Sequence, residues 1–159
     1  MGQAAGRQEK REEKEVFAAY LTKNRLKRSE QREVILDAFL KAERHLSVDD
    51  LLQIVQKKRR EIGRTTVYRT LKLLREAGLA SELDLQGETR FEPDYNRAHH
   101  DHFICSSCGD IFEFSSPDIE RIQDEIADGL GFKIEAHRHQ ILGLCRRCQA
   151  PTTRSDARS

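Results

Sequence analysis

The sequence lacks any long hydrophobic run. No apolar stretch approaches the ~18–20 residues that a membrane-spanning helix requires, and the N-terminal MGQAAGRQEKREEKE contains no apolar segment like that of a secretory signal. We therefore expect a cytoplasmic protein with no membrane partner.

Hydrophobic residues are also scarce, at 37% of the chain against 35% charged residues. This fraction is low, but it stays above the level at which a chain can no longer bury enough apolar surface to fold. No internal repeat is visible, and 159 residues leave room for one ordinary domain or two small ones. The composition predicts small cores and excludes a large multi-domain machine.

Cysteine is rare as well: there are four, and all of them lie beyond residue 98 with five of the six histidines. In a reducing compartment, clustered cysteines bind metal or perform redox chemistry more often than they form disulfides. Basic residues concentrate elsewhere, since residues 57–75 contain eight Lys or Arg and a single acid. This segregation predicts a first half that binds a negatively charged partner and a second half that binds metal.

The first half has the pattern of a winged helix-turn-helix. Ser47-Val-Asp-Asp50 is a capping box that opens one helix, and residues 64–78 form another that a glycine closes. Val67, Leu71 and Leu74 share the core-facing stripe of that second helix. Residues 80–91 then form a hairpin around Gln86-Gly87-Glu88.

The helix at 64–78 is basic on its outer face, and in this architecture such a helix enters the major groove of DNA. Arg and Lys there neutralise phosphates or read guanine. A solvated basic face is the alternative. The predicted DNA contacts are Arg64, Thr65, Tyr68, Arg69 and Lys72.

The second half reads as a small α/β module, so the predicted class is α+β. Short strands are expected at 102–105 and 111–114, then a helix that Ser116-Pro117 opens and that Gly129 and Gly131 end, and one or two strands within 133–144. The predicted organisation is a flexible tail or frayed helix start at 1–14, a DNA-binding domain at 15–92, a hinge at 93–98, a metal-binding domain at 99–149 and a polar tail at 150–159.

Two Cys-x-x-Cys pairs are the strongest chemical signal: Cys105 with Cys108, and Cys145 with Cys148. This spacing lets one turn present two sulfurs to a single ion, and four thiolates suit a closed, structural Zn²⁺ site. The alternative is that one pair is a redox dithiol. The chain between the pairs must fold back to bring them together.

The run His99-His-Asp-His102 leads into the first of these strands. Alternate residues of a strand face opposite sides, so His100 and His102 share one side while His99 and Asp101 share the other. Further metal ligands for either side are available, and spacing alone does not choose among them: Glu92, Glu113, Glu120, His137 and His45. A solvated polar loop is the alternative.

The order of these motifs resembles a known family. A basic winged helix, HHDHFICSSCG, His137-x-His139 and a closing Cys-x-x-Cys are similar to the ferric uptake regulator (Fur) superfamily of metal-dependent bacterial repressors. The resemblance covers about residues 16–148, and HHDHxxCxxCG is highly specific to that superfamily. It implies a homodimer, or a tetramer built from it, that binds double-stranded operator DNA through the first half and dimerises through the second. It implies neither an enzyme nor a small organic substrate.

The resemblance also implies two exchangeable metal sites. The regulatory site falls on His45, Glu92, His100, His102 and Glu113. An auxiliary site falls on His99, Asp101, Glu120 and His137. This division agrees with the two sides of the strand, since His100 and His102 fall in one site and His99 and Asp101 in the other. The sequence assigns no role to His139, which is expected to be a surface histidine.

Among superfamily members, the two glutamates Glu92 and Glu113 favour an iron sensor, because peroxide-sensing relatives tend to carry Asp there. Zinc-sensing relatives usually add a cysteine to the regulatory site, and all four cysteines here are already committed. The resemblance therefore implies repression of iron-uptake genes, with Fe²⁺ or Mn²⁺ as regulatory ion and Zn²⁺ able to replace it in vitro.

The sequence leaves several alternatives open. Within the superfamily they are a zinc sensor and a peroxide sensor. A metal-dependent hydrolase would use the His/Asp/Glu cluster to activate water, but the sequence supplies no nucleophile motif. A constitutive DNA-binding protein would contain only the structural zinc.

Overall fold

The structure is a computed structural model that describes residues 2–42, 44–85 and 87–149, with side chains described from residue 11 onward. The chain divides into two compact units, Met1–Arg97 and Ala98–Ser159, each with one three-stranded sheet. Helices and sheets are mixed, so the predicted α+β class, a winged helix followed by a small α/β unit, is confirmed. The polar tail predicted at 150–159 lies outside the described residues.

The described residues of the first unit form four helices and a small sheet. In chain order these elements are α1 (Gly2–Lys23), α2 (Glu30–Ala42), β1 (Leu46–Ser47), α3 (Val48–Gln56), α4 (Arg64–Glu76), β2 (Ala80–Leu85) and β3 (Glu88–Pro93). The strands are antiparallel in the order β1-β3-β2, so β2 and β3 form the wing that follows helix α4. Gln86 of the predicted wing turn lies outside the described residues.

Local sequence rules explain how α3 and α4 begin and end. The Ser47 hydroxyl accepts from the Asp50 amide at 3.1 Å, and the Ser47 amide donates to Asp50 Oδ2 at 3.0 Å, so the predicted capping box is confirmed. Helix α4 stops at Glu76, and Gly78 adopts a left-handed φ of +72° that a glycine accepts without strain. The Leu79 amide then donates to Leu74 O at 2.9 Å, which closes the helix end.

The core of the first unit is formed by the apolar faces of these helices. Val67, Leu71 and Leu74 of α4 are completely buried, as their spacing predicts. They belong to one hydrophobic cluster with residues of α2, α3 and β3, including Phe39 and Phe91. The buried stripe fixes the orientation of α4, so its opposite, basic face points outward.

Three features of the first unit add to the sequence prediction or differ from it. Helix α1 begins at Gly2, within the segment predicted as a tail or frayed helix start, because that segment consists largely of residues with high helix propensity. Strand β1 was missed because two residues are too few to show a strand period. Pro93, predicted as the start of the hinge, is the last residue of β3. Among the described residues, no helix combines the length and apolar character that crossing a bilayer would need.

The second unit is smaller. Its elements are β4 (Asp101–Cys105), β5 (Ile111–Phe114), α5 (Pro117–Leu130), β6 (Gln140–Gly143) and α6 (Arg146–Gln149). The sheet order is β5-β4-β6, with β5 antiparallel and β6 parallel to the central strand β4. Ser116 and Pro117 open α5 as predicted, whereas Gly129 lies within that helix and only Gly131, with φ +72°, ends it.

Candidate metal centres and nucleic-acid interface

The two cysteine pairs meet at one end of the second sheet. Cys105 is the last residue of β4 and Cys108 lies in the turn that follows. Cys145 lies between β6 and α6, and Cys148 lies in α6. Because β6 runs parallel to β4 and pairs Gly143 with Cys105, the second pair arrives beside the first. Cys108 Sγ and Cys145 Sγ are 3.8 Å apart, and all four sulfurs lie within 4.8 Å of one another.

The surroundings of the four thiols lower the pKa at two of them, Cys105 and Cys145, and raise it at Cys108 and Cys148. Backbone N–H groups of Cys145 and Cys108 lower the pKa of the Cys105 thiol to about 6; the Cys145 amide lies 3.3 Å from Cys105 Sγ. A contact with the Ser107 hydroxyl lowers the pKa of Cys148, but contacts with Cys145 and Cys108 outweigh it and raise that pKa to about 12. A divalent cation would relieve this competition, because a coordinating thiol is deprotonated outright. Four sulfurs in mutual reach fit tetrahedral Zn²⁺ with no open position.

A second cluster lies around Asp101, at the start of the central strand β4, and consists of His99, Asp101, Glu120 and His137. His99 Nε2 is 3.2 Å from Asp101 Oδ1, and His137 Nε2 is 3.5 Å from Glu120 Oε2. The rings of His99 and His137 meet at 4.2 Å in an edge-to-face arrangement. Three separate elements supply these groups, since Glu120 comes from α5 and His137 from the segment that precedes β6.

This second cluster fits a cation by the chemistry of its donors. Among the described residues, Asp101 Oδ2, Glu120 Oε1 and His137 Nε2 are buried side-chain atoms without a hydrogen-bond partner. Buried polar groups without partners are costly, so such a concentration calls for a ligand. The four donor groups lie within 4.8 Å of one another, and imidazoles with carboxylates suit Fe²⁺, Mn²⁺, Co²⁺ or Zn²⁺.

Three residues of the predicted regulatory set lie together in the second unit. His102 on β4 pairs with Glu113 on β5, so the two face the same side of the sheet. The rings of His100 and His102 are 5.0 Å apart. The predicted face parity of the HHDH run is thus confirmed, because His100 contacts His102 while His99 contacts Asp101.

The other two residues of that set lie together in the first unit. His45 Nε2 is 3.1 Å from Glu92 Oε2, and both side chains are at least nine-tenths buried. The Ser81 hydroxyl donates to Glu92 Oε1 at 2.9 Å, and Ser81 pairs with Glu92 across the wing. Ser81 therefore orients the Glu92 carboxylate. The sequence predicted the hairpin that contains Ser81 but not this role.

The basic face of α4 is partly engaged by acids of the same unit. Arg64 donates to Asp49 at 2.8 and 3.2 Å, and Lys72 donates to both oxygens of Glu82 at 2.9 and 3.0 Å. The sequence did not predict that Asp49 and Glu82 pair with these basic residues. The one available signal was the position of Glu82 on the predicted strand that follows α4. The outward-facing residues Tyr68 and Arg69 are exposed at the middle of the helix.

The chain matches the model of the ferric uptake regulator family over residues 23–142. The ferric uptake regulation protein of Bordetella parapertussis is 41% identical over 126 residues, which cover 78% of this chain and 90% of that protein. The structure of the Helicobacter pylori ferric uptake regulator, described as having three functional metal-binding sites, matches with a TM-score of 0.82 at 30% identity and covers 91% of this chain and 96% of that one. The Francisella tularensis regulator, solved with iron, matches with a TM-score of 0.71 at 34% identity, over 77% of this chain and 94% of that one.

Proposed function

The chain belongs to the ferric uptake regulator family, and from this premise we propose that it is an Fe²⁺-sensing repressor that binds operator DNA as a dimer when its regulatory site is loaded. Iron-uptake genes are the proposed targets. The observation that carries the proposal is the separation of donor types. Four thiols are gathered in one closed cluster, while imidazoles and carboxylates gather elsewhere. This separation supports one structural site of four thiolates and separate exchangeable sites of imidazoles and carboxylates.

Zn²⁺ is the proposed occupant of the four-cysteine cluster, where it contributes folding free energy. Fe²⁺ or Mn²⁺ is proposed for the remaining clusters, with Zn²⁺ as a competitor in vitro, since affinity rises along the Irving–Williams order and availability decides which ion acts. The proposed auxiliary ligands are His99, Asp101, Glu120 and His137.

For the regulatory site we propose that both units supply ligands to one ion. The proposed ligands are His45 and Glu92 from the first unit and His100, His102 and Glu113 from the second. A bound ion would attract the donor atoms of all five residues. His45 and Glu92 can coordinate the same ion as the other three only in conformations that bring the units together, so binding shifts the population toward those conformations. Those conformations are proposed to be the ones that fit DNA.

Helix α4 is the proposed reading element. Arg64 and Lys72 pair with Asp49 and Glu82, so a phosphate must compete with these carboxylates for their N–H groups. Tyr68 and Arg69 project from the exposed face. Arg69→Ala should weaken operator binding by ~1–3 kcal/mol if the guanidinium reads a base, and Tyr68→Ala should also weaken it. The measurement is fluorescence anisotropy of a labelled operator.

The matched control for these variants is Arg121→Ala, which removes an exposed arginine of α5 in the other unit. It should leave operator affinity unchanged. Unaltered affinity in both α4 variants would remove this helix from the groove.

A homodimer, or a tetramer built from it, is proposed through the second unit. Large apolar side chains stand exposed there on both the sheet and the helix, including Phe112, Ile126 and Leu130. Large apolar side chains that stand exposed in such number favour a protein interface.

The decisive test of the function is operator binding by zinc-replete protein whose exchangeable metal has been removed with a mild chelator. Adding back Fe²⁺ under anaerobic conditions, and Mn²⁺ in a parallel sample, should restore binding, while His102→Ala should abolish the metal response. Binding that is indifferent to these ions and to His102→Ala would identify a constitutive DNA-binding protein instead. A response to Zn²⁺ alone at limiting concentrations would identify a zinc sensor.

A further inference from the structure

His139 lies beside the second metal cluster but outside its set of mutually adjacent donors. Its backbone oxygen accepts a hydrogen bond from the His102 amide at 3.2 Å, which fastens residue 139 to the strand that carries Asp101. The His139 ring also contacts Phe114, the residue that pairs with Asp101 across β4 and β5. Backbone and ring together place His139 against the Asp101 carboxylate.

The two oxygens of that carboxylate face different groups. Oδ1 lies 3.2 Å from His99 Nε2 and 3.9 Å from His137 Nε2, on the side of the proposed ligands. Oδ2 lies 3.9 Å from His139 Nδ1, and it is buried without a hydrogen-bond partner among the described residues. The Asp101 side chain is 0% exposed, so bulk solvent does not reach this oxygen.

We propose that His139 is a positioning residue of the second metal centre. Its Nδ1 lies 3.9 Å from Asp101 Oδ2, beyond hydrogen-bond distance in this structure, and approaches to donate to Oδ2 when an ion is bound, which directs Oδ1 toward the ion. The inference rests on the proposed auxiliary site. Ligating carboxylates are themselves commonly hydrogen-bonded, and loss of such an outer partner typically costs about 10–100-fold in metal affinity. His139 is a partner of this kind and not a fifth ligand, because the donor atoms within 4.8 Å of one another come from His99, Asp101, Glu120 and His137.

The test is a Co²⁺ titration of the full-length, zinc-replete protein, followed by d–d absorption and by competition with a chromophoric chelator. Asp101→Asn identifies the second centre as the equivalent of Co²⁺ that it removes. His139→Ala should weaken that same equivalent about 10–100-fold and leave the other equivalent and the thermal midpoint unchanged. His139→Asn keeps an N–H donor near the Nδ1 position and should recover most of the lost affinity.

Arg138→Ala is the matched control, because it truncates the exposed neighbouring residue, and it should bind Co²⁺ like the unaltered protein. Unchanged Co²⁺ affinity in His139→Ala, with the Asp101→Asn effect intact, would overturn the role of His139 alone. X-ray absorption that counts one histidine fewer on Co²⁺ in His139→Ala would also overturn it, since His139 would then be a ligand. If Asp101→Asn removes no equivalent of bound Co²⁺, the proposed auxiliary site itself is wrong. Failure of the proposed function is distinguished from this result, because metal-dependent operator binding is measured in a separate experiment.

Discussion

The two units of the chain bury their hydrophobic residues to very different extents. The first unit encloses a cluster of fully buried side chains, among them Phe39, Leu51, Leu71 and Phe91. In the described part of the second unit, the buried hydrophobic residues are Ile104, Cys105 and Ala127. The first unit can rest on the ordinary hydrophobic effect, whereas the second depends on other sources of stability, for which the cysteine cluster and a second copy of the chain are the proposed candidates.

The helices α4 and α5 show the same contrast on a smaller scale. Both have an apolar stripe at helical spacing, but Leu71 of α4 is 0% exposed while Ile126 and Leu130 of α5 are 58% and 70% exposed. A periodic pattern identifies the apolar face of a helix. It does not reveal whether the same chain or a partner covers that face.

The largest predicted effect is the loss of the cysteine cluster. Cys105→Ser should remove Zn²⁺ and unfold the second unit, because structural zinc contributes an apparent ~10–16 kcal/mol in small zinc-dependent domains. Zinc content and hydrogen exchange of the full chain measure this, and amides of the first unit should keep their protection. Ser106→Ala, one residue away, is the control, and a zinc-free Cys105→Ser protein with unaltered melting would contradict the prediction.

The next effect is a cavity in the first core. Leu71→Ala should destabilise the first unit by ~2–5 kcal/mol, since a fully buried leucine is truncated in a packed environment. Urea unfolding followed by circular dichroism measures the change. A loss well under 1 kcal/mol would mean that this core is not packed as described, and the loss should not depend on protein concentration.

The corresponding truncation in the second unit should behave differently. Ile126→Ala should weaken self-association by up to ~1.5–3 kcal/mol, the value of one large aliphatic side chain that becomes buried at an interface. Sedimentation equilibrium at several concentrations measures it, with the exposed neighbour Glu125→Ala as control. An unchanged association constant would place the interface elsewhere.

The smallest effect concerns the capping box of α3. Hydrogen bonds from Ser47 lower the pKa of Asp50 in the folded protein, so the charged carboxylate stabilises the fold above its ordinary pKa and this stability is lost as the pH falls through the folded value. Asp50→Asn should therefore cost ~1 kcal/mol at neutral pH. The difference from the unaltered protein should shrink below about pH 4, as measured by urea unfolding across pH. A difference independent of pH would exclude the carboxylate's charge as its cause.

The features predicted from the sequence are those that local rules determine. The capping box, the buried stripe of α4 and the parity of the HHDH run follow from periods of 3.6 and 2, and the paired cysteines follow from their spacing. Contacts between distant segments have no such signal, so the partners Asp49 of Arg64 and Glu82 of Lys72 were not foreseen. The short elements β1 and α6 span too few residues to show a period.

The proposed function depends most on the regulatory site. A crystal of the zinc-replete protein saturated with Mn²⁺ and measured at an X-ray energy where manganese scatters anomalously would test it directly. We expect an anomalous peak coordinated jointly by His45 and Glu92 of the first unit and by His100 and His102 of the second, with Glu113 completing the set. Manganese bound without ligands from the first unit, and those residues turned away from it, would contradict the proposed switch.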